Sequence, residues 1–273
     1  MVRIKSLLLI LSAIPLFCFS QALDEAQYEC RYKFHYINLS LEEMQEDDMI
    51  LLIGNKVSKF YSYHTFYSDS LNRTPEGRKV WKELFRTGAA TNNFPYRRTP
   101  EFIYKNYPAG KITVTDNVQL DYFKYTEDYQ PQEWQFTDSV MEILGYPCQQ
   151  ATCMFRGRTY YAWFTAEIPL SDGPWKFTGL PGLILKVEDS EHLYCFEIEG
   201  FRQIFNTPVL LEPARNGIYM KIERNELLKL KRKNLEDNFG YINATTGIDF
   251  SEYAEKDTRK TMKYDFMEKD YNE

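Results

Sequence analysis

The chain reads as mainly β, of the α+β kind: an antiparallel sheet with a few short helices. Three observations lead there. Aromatic residues are abundant, with 21 Tyr and 19 Phe among 273 residues, and such side chains favour pleated, half-buried surfaces. Short apolar and aromatic runs recur between residues 28 and 198, separated by Gly-, Asn- and Pro-containing turns, the spacing of an antiparallel meander. Only two stretches carry a helical period.

In chain order, residues 28–37 (YECRYKFHYI) alternate and form a first strand holding Cys30. Residues 42–48 are acidic and read as a solvated stretch. Residues 49–53, Gly54-Asn55 and 57–66 read as a hairpin, because Gly-Asn between apolar runs is a tight-turn signal. The region 68–108 reads as an insertion packed on the sheet. It contains a helix over 78–86, where Val80, Trp81, Leu84 and Phe85 have helical spacing, amid turn-prone residues. Residues 111–129 suggest a hairpin about Asp116-Asn117. The densest β pattern follows, with strands over 133–136 and 140–144, a strand over 149–155, a turn at Arg156-Gly157-Arg158, and strands over 159–165, 183–187 and 193–198. Asn225 is placed to cap a helix over 226–235, with Leu227, Leu228, Leu230 and Leu235 apolar and the lysines between them solvated.

Composition sets limits. Arg3 and Lys5 precede an apolar run over 7–19 and then small and polar residues, the pattern of a secretory signal peptide. Cleavage after Ala22 is expected, with Ser20 the nearest alternative. Cys18 follows bulky Phe17, which argues against lipidation. Loss of Arg3 and Lys5 takes the net charge from -6 to about -8, so nucleic acid and anionic lipid surfaces are not expected partners. No transmembrane span is expected in the mature chain. The domain reading is 1–22 signal peptide, 23–251 one β-rich domain, and 252–273 a charged tail, expected to be frayed.

Four cysteines remain after export: Cys30, Cys148, Cys153 and Cys195. An oxidising compartment makes disulfides an expectation, and four cysteines allow three connectivities. On one strand Cys148 and Cys153 would lie roughly 16 Å apart, too far to bridge. The other two pairings stay open. His35, His64 and His192 show no metal-binding spacing, and neither a nucleophile elbow nor a phosphate loop is present. No metal or cofactor is expected.

The stretch Gly179-Leu180-Pro181-Gly182-Leu183-Ile184 stands out. Leu180 to Leu183 reads as a type II turn, with Gly182 at the position needing positive φ. Together with Gly145-Tyr146, Cys148, Ala151, Phe155-Arg156-Gly157-Arg158, Ala162-Trp163-Phe164-Thr165, Ile168-Pro169, Gly173-Pro174-Trp175 and Phe177, it resembles the GLPGLI family of bacterial envelope proteins. The likeness is specific over about 145–200. That family has no assigned activity, so the resemblance implies an envelope location, periplasmic or outer-membrane-associated, and places no catalytic residue. A sheet crossed by helices is architecturally similar to periplasmic lipoprotein-carrier half-barrels, which implies a curved, half-barrel-like sheet.

Candidate site residues follow. Trp163 and Trp175 offer walls for an apolar small molecule, against ordinary core packing. Arg156 and Arg158 at a hairpin tip offer a forked grip on an anion, against solvated turn residues. Asp172, Glu188 and Asp189 offer an acid/base pair for a hydrolase, against turn and strand-end roles. The leading expectation is non-catalytic binding of an apolar ligand or an envelope protein, with hydrolase and structural component as alternatives. The mature chain is expected to begin at Leu23, which the intact mass of protein purified from its own envelope checks.

Overall fold

The computed structural model describes residues 22–39, 42–91, 97–215, 217–247 and 265–272. The signal-peptide region up to residue 21 and the tail over 252–264 lie outside the described residues. Twelve strands form one sheet: β1 (Asp24–Asn38), β2 (Glu43–Gly54), β3 (Ser58–Ser62), β4 (Phe102–Lys105), β5 (Lys111–Val118), β6 (Asp121–Asp128), β7 (Gln135–Ile143), β8 (Tyr146–Phe155), β9 (Arg158–Thr165), β10 (Leu183–Asp189), β11 (Tyr194–Val209) and β12 (Met220–Lys221). Helices α1 (Tyr63–Asn72) and α2 (Pro75–Thr91) join β3 to β4, and α3 (Arg224–Glu236) and α4 (Asn238–Thr246) follow β12.

The sheet order is β12-β6-β5-β4-β3-β2-β1-β11-β10-β9-β8-β7. Two meanders, β2 to β6 and β7 to β11, run outward from β1, which pairs antiparallel with both β2 and β11. Only the two-residue β12 runs parallel, beside β6.

This order dictates curvature. β6 and β7 lie ten strand intervals apart, roughly 48 Å in a flat sheet at about 4.8 Å per interval. Yet only residues 129–134 join Asp128 to Gln135, and so short a segment spans at most about 25 Å. The sheet must curl until its two ends approach, without closing.

The curled interior is filled by the loop 166–182, between β9 and β10. Its Ile168, Trp175, Phe177 and Leu180 share one core cluster with residues of β1 to β11. The crossover grips this loop: Trp134 Nε1 donates to Thr178 O at 2.7 Å, and Thr178 N donates to Gln132 Oε1 at 2.9 Å. Helix α3 adds Leu227 and α4 adds Tyr241 to the same core. A smaller cluster on the other side of the sheet, Ile50, Leu52, Tyr61 and Phe102, is packed by Phe66 of α1.

Several expectations change. The acidic stretch 42–48 is mostly strand, because Asp47 turns inward and accepts from Ser62 Oγ and Thr99 N at 2.9 and 3.0 Å. The insertion is α1 and α2 with their flanking turns; β4 within the expected 68–108 region is an inner strand, paired on both sides. The β5–β6 turn lies at Gln119-Leu120 instead of Asp116-Asn117. Helix α3 starts earlier, with Glu223 at its N-cap in place of Asn225 and no side-chain cap bond. Residues 265–272 of the expected frayed tail are packed, with Glu268 and Tyr271 buried.

The turn at the hexapeptide is also different. Gly179, not Gly182, has positive φ, at 94°. Its flat surface admits the crossover: a Cβ there would sit 2.4 Å from Pro131 Cβ. Gly182 is required by contact alone, since a Cβ there would meet Thr165 O at 2.0 Å. Gly182→Ala is therefore expected to destabilise by more than about 2 kcal/mol through backbone displacement. Gly145→Ala, where φ is 80° but nothing lies within 4 Å, should cost only the left-handed strain, about 1 kcal/mol. Denaturant titration of the two variants checks the difference.

Candidate functional site

Two lysines at the interior loop organise its chemistry. Lys105, at the end of β4, is fully buried and pairs with Asp172, while its Nζ also donates to Gly173 O at 2.6 Å. Tyr32 on β1 donates to Ile184 O at 2.7 Å. Asp172 thus anchors the loop start to the far side of the barrel-like interior.

Lys176, also fully buried, lies between Trp175 and Phe177. Its Nζ pairs with Glu268, lies 2.7 Å from Glu127 Oε1, and donates to Tyr125 Oη at 3.0 Å. Burial alone would lower its pKa, but Glu268, Tyr125 and Glu127 hold it well above the ordinary lysine value. Around it lies a ridge of further pairs: Arg224 with Glu268 and, at 2.7 Å, Asp270; Arg156 with Glu127 and, at 3.3 Å, Asp270; Arg158 with Asp189 and Asp265, both at 2.5 Å.

A polar cleft of about 770 Å³ opens beside the ridge. Lys111, Glu127, Gln132, Phe155, Arg156 and Arg224 are among its lining residues. Among its wall residues, Glu127 Oε1, Arg156 Nε and Asn225 Oδ1 are buried without a hydrogen-bond partner.

The sequence-marked residues divide between core and ridge. Trp175 packs against Phe155, Tyr160 and Phe177 with centroids 5.3–6.4 Å apart. Trp163 is buried on β9, with Lys186 Nζ 5.6 Å above its ring. Both rings are buried in the main core cluster. Arg158 does not project from the hairpin tip: the Arg156-Gly157 turn, with φ 53° and 76°, puts Arg158 on the first residue of β9, facing Asp189. Asp172 and Asp189 are each taken by a buried cation, and Glu188 lies 3.7 Å from Lys186. These three carboxylates form no acid/base pair.

Cys30, Cys148, Cys153 and Cys195 are unbridged. Cys30 sits among Tyr32 and Phe34 on one side of β1, whereas Cys195 pairs in register with His35, five residues on and so on the opposite side. Cys148 and Cys153 share β8, as their spacing implied. Burial pushes the Cys153 thiol up to about 12 and the Cys195 thiol to about 11, so both stay protonated. His64 Nε2 lies 2.8 Å from Asp48 and His35 Nδ1 3.4 Å from Glu46. Among the described residues no His, Cys, Asp or Glu group is arranged to hold a metal ion, and no helix is long and apolar enough to cross a membrane.

A different surface feature was missed by sequence reasoning. β7 is the last strand of the sheet and β8 is its one described partner. Phe136, Val140, Met141, Leu144 and Met154 are exposed there, Val140 at 77% and Met154 at 70%. Between residues 125 and 155 there are five acidic residues and no Lys or Arg. That charge gap was readable; the edge position was not.

Comparisons with known proteins give one partial family match. The model of a family described as "Protein of unknown function (Porph_ging)" matches residues 104–186, from β4 to mid-β10 with the whole interior loop. Two solved structures of PNGF-II, in space groups C2 and P21, are similar at 13% identity with TM-scores of 0.49 and 0.47. They match over 77% of this chain but 33% and 34% of their own, so the chain spans about a third of their length. No curated protein matches.

The ridge generates a pH expectation. Burial would raise the Glu268 carboxyl, yet Lys176 and Arg224 hold it below the ordinary 4.5; Arg224 and Arg156 likewise outweigh burial at Asp270 and hold it below 3.8. Carboxyls depressed by folding contribute their stability above the unfolded value and lose it as pH falls. The segment 265–272 should therefore stay docked above about pH 4.5 and loosen below it. The protection of the Lys269 amide, which donates to Arg156 O at 2.8 Å, should fall over that range when its hydrogen exchange is compared with the intrinsic rate at each pH.

Proposed function

We propose that this chain is an exported, non-catalytic binding protein of the bacterial envelope whose partner is another protein, held at the β7–β8 edge. The observation that carries the reading is that edge: a terminal strand with exposed Phe136, Val140 and Met141, continued by Leu144 and Met154. Exposed apolar edges are ordinarily blunted or covered, and an uncovered one is a template for strand addition. The resemblance to the GLPGLI family and the signal-peptide pattern support the envelope location. The filled interior favours a protein partner over an apolar small molecule, and the pairing of Asp172 and Asp189 removes support from a carboxylate hydrolase.

Charge selects the partner's chemistry. Asp138 and Glu142 lie on β7 with no cation on the strand. Antiparallel self-pairing would bring these like charges together, which is destabilising. An extended segment alternating apolar and basic side chains complements the edge. A three-residue irregularity separates the Phe136 and Val140 pairings with β8, so the regular ladder on offer is Val140 to Ile143.

The test is site-specific photocrosslinking in the native envelope from position 140, with position 120 as control because Leu120 is 79% exposed on the distant β5–β6 turn. A discrete adduct from 140 only, lost in the Val140→Glu/Met141→Glu variant, is the expected result. Equal labelling from both positions, or none from 140, overturns it.

A further inference from the structure

The ridge has a property independent of the edge strand. Four cations belong to the body of the fold: Arg156, Arg158, Lys176 and Arg224. Within its described residues, only Glu127 and Asp189 pair with them closely, with Glu191 at the rim, 3.6 Å from Arg158. Charge balance comes from the segment 265–272, which delivers Asp265, Glu268 and Asp270.

The segment is attached as a ligand would be. It adds no strand to the sheet. Its backbone makes three contacts: Lys269 N to Arg156 O at 2.8 Å, Arg158 Nη2 to Phe266 O at 3.2 Å, and Tyr160 Oη to Met267 O at 2.8 Å. Met267 packs on the main core. The body accommodates it with a glycine, since a Cβ on Gly157 would lie 3.1 Å from Lys269 Cβ. The polar cleft of about 770 Å³ lies alongside and shares Glu127, Arg156 and Arg224, so the groove is open at its flank.

We propose that the groove beneath residues 265–272 is a binding site for acidic peptides, occupied in this structure by the chain's own segment as resident ligand. The ligand class is a short peptide with three carboxylates at the spacing of Asp265, Glu268 and Asp270, the last opening a 3-10 turn, and an apolar side chain in the place of Met267. Arg158 reads the first carboxylate, Lys176 with Arg224 the second, and Arg224 with Arg156 the third. Forked guanidinium pairs supply the orientation, and charge pairs at a partly solvated groove make binding weaken with salt. A partner bearing such a segment competes with the resident one, which has the advantage of belonging to the same chain.

The test keeps the full chain. A protease site placed within 248–264 is cut after folding, and the freed segment is exchanged for a fluorescent peptide of sequence 265–272. The expected results are retention of the cut segment at low salt, release at high salt, and saturable peptide binding by the emptied protein. A peptide carrying E268Q and D270N should bind at least tenfold more weakly. Near-UV circular dichroism monitors the fold throughout. If the emptied protein stays folded but ignores the peptide, or binds both peptides equally, the proposal fails. It also fails if release unfolds the protein and added peptide does not restore it, because the segment is then an integral part of the core.

Discussion

Everything in this fold follows from a short tether. Residues 129–134 must carry the chain from one end of the sheet to the other, and a connection of at most about 25 Å cannot cross a flat sheet of this width. Curling creates an interior, and an interior of apolar strands must be filled. The loop 166–182 fills it, and the tether clasps that loop through Gln132 and Trp134. Gly179 exists in this arrangement because Pro131 presses on it.

Buried charge positions the filling. Lys105–Asp172 and Lys176–Glu268 gain little net stability, since desolvation offsets most of the attraction. Removing one partner, however, leaves a buried charge uncompensated and costs about 3–5 kcal/mol. The pairs therefore act by penalising every misplaced loop conformation. The loop's Ile168, Trp175, Phe177 and Leu180 share the main core with the strands around them.

Most strands were legible because alternation and turn dipeptides are local signals. Arg156-Gly157 and Leu144-Gly145 mark tight turns by positive φ at both residues. What was hidden depends on distant partners. The acidic start of β2 reads as solvated until Ser62 and Thr99 are seen to satisfy Asp47. Residues 265–272 read as a frayed tail because the Arg158 and Tyr160 that hold them lie 107 residues away. Lys105 after Phe102-Ile103-Tyr104, and Lys176 between Trp175 and Phe177, were the available clue: a lysine inside an apolar run calls for a buried carboxylate. Gly182 was read as the positive-φ residue of the turn, whereas what holds it is the close approach of Thr165 O.

The central place of β1 has a consequence for how such a chain is made. A polypeptide is made N-terminus first, and β1 can pair with β2 almost at once, through registers such as Tyr32 with Met49. Its other side waits for β11, where Tyr28 meets Gln203 and Tyr36 meets Tyr194. Until some 170 further residues have been added, one edge of an aromatic-rich strand stands open to any neighbouring chain. Long-range pairings of this kind slow folding and lengthen exposure to aggregation. Synthesis delivers this protein with its midline first and its seam last, so the vulnerable state is the half-made chain.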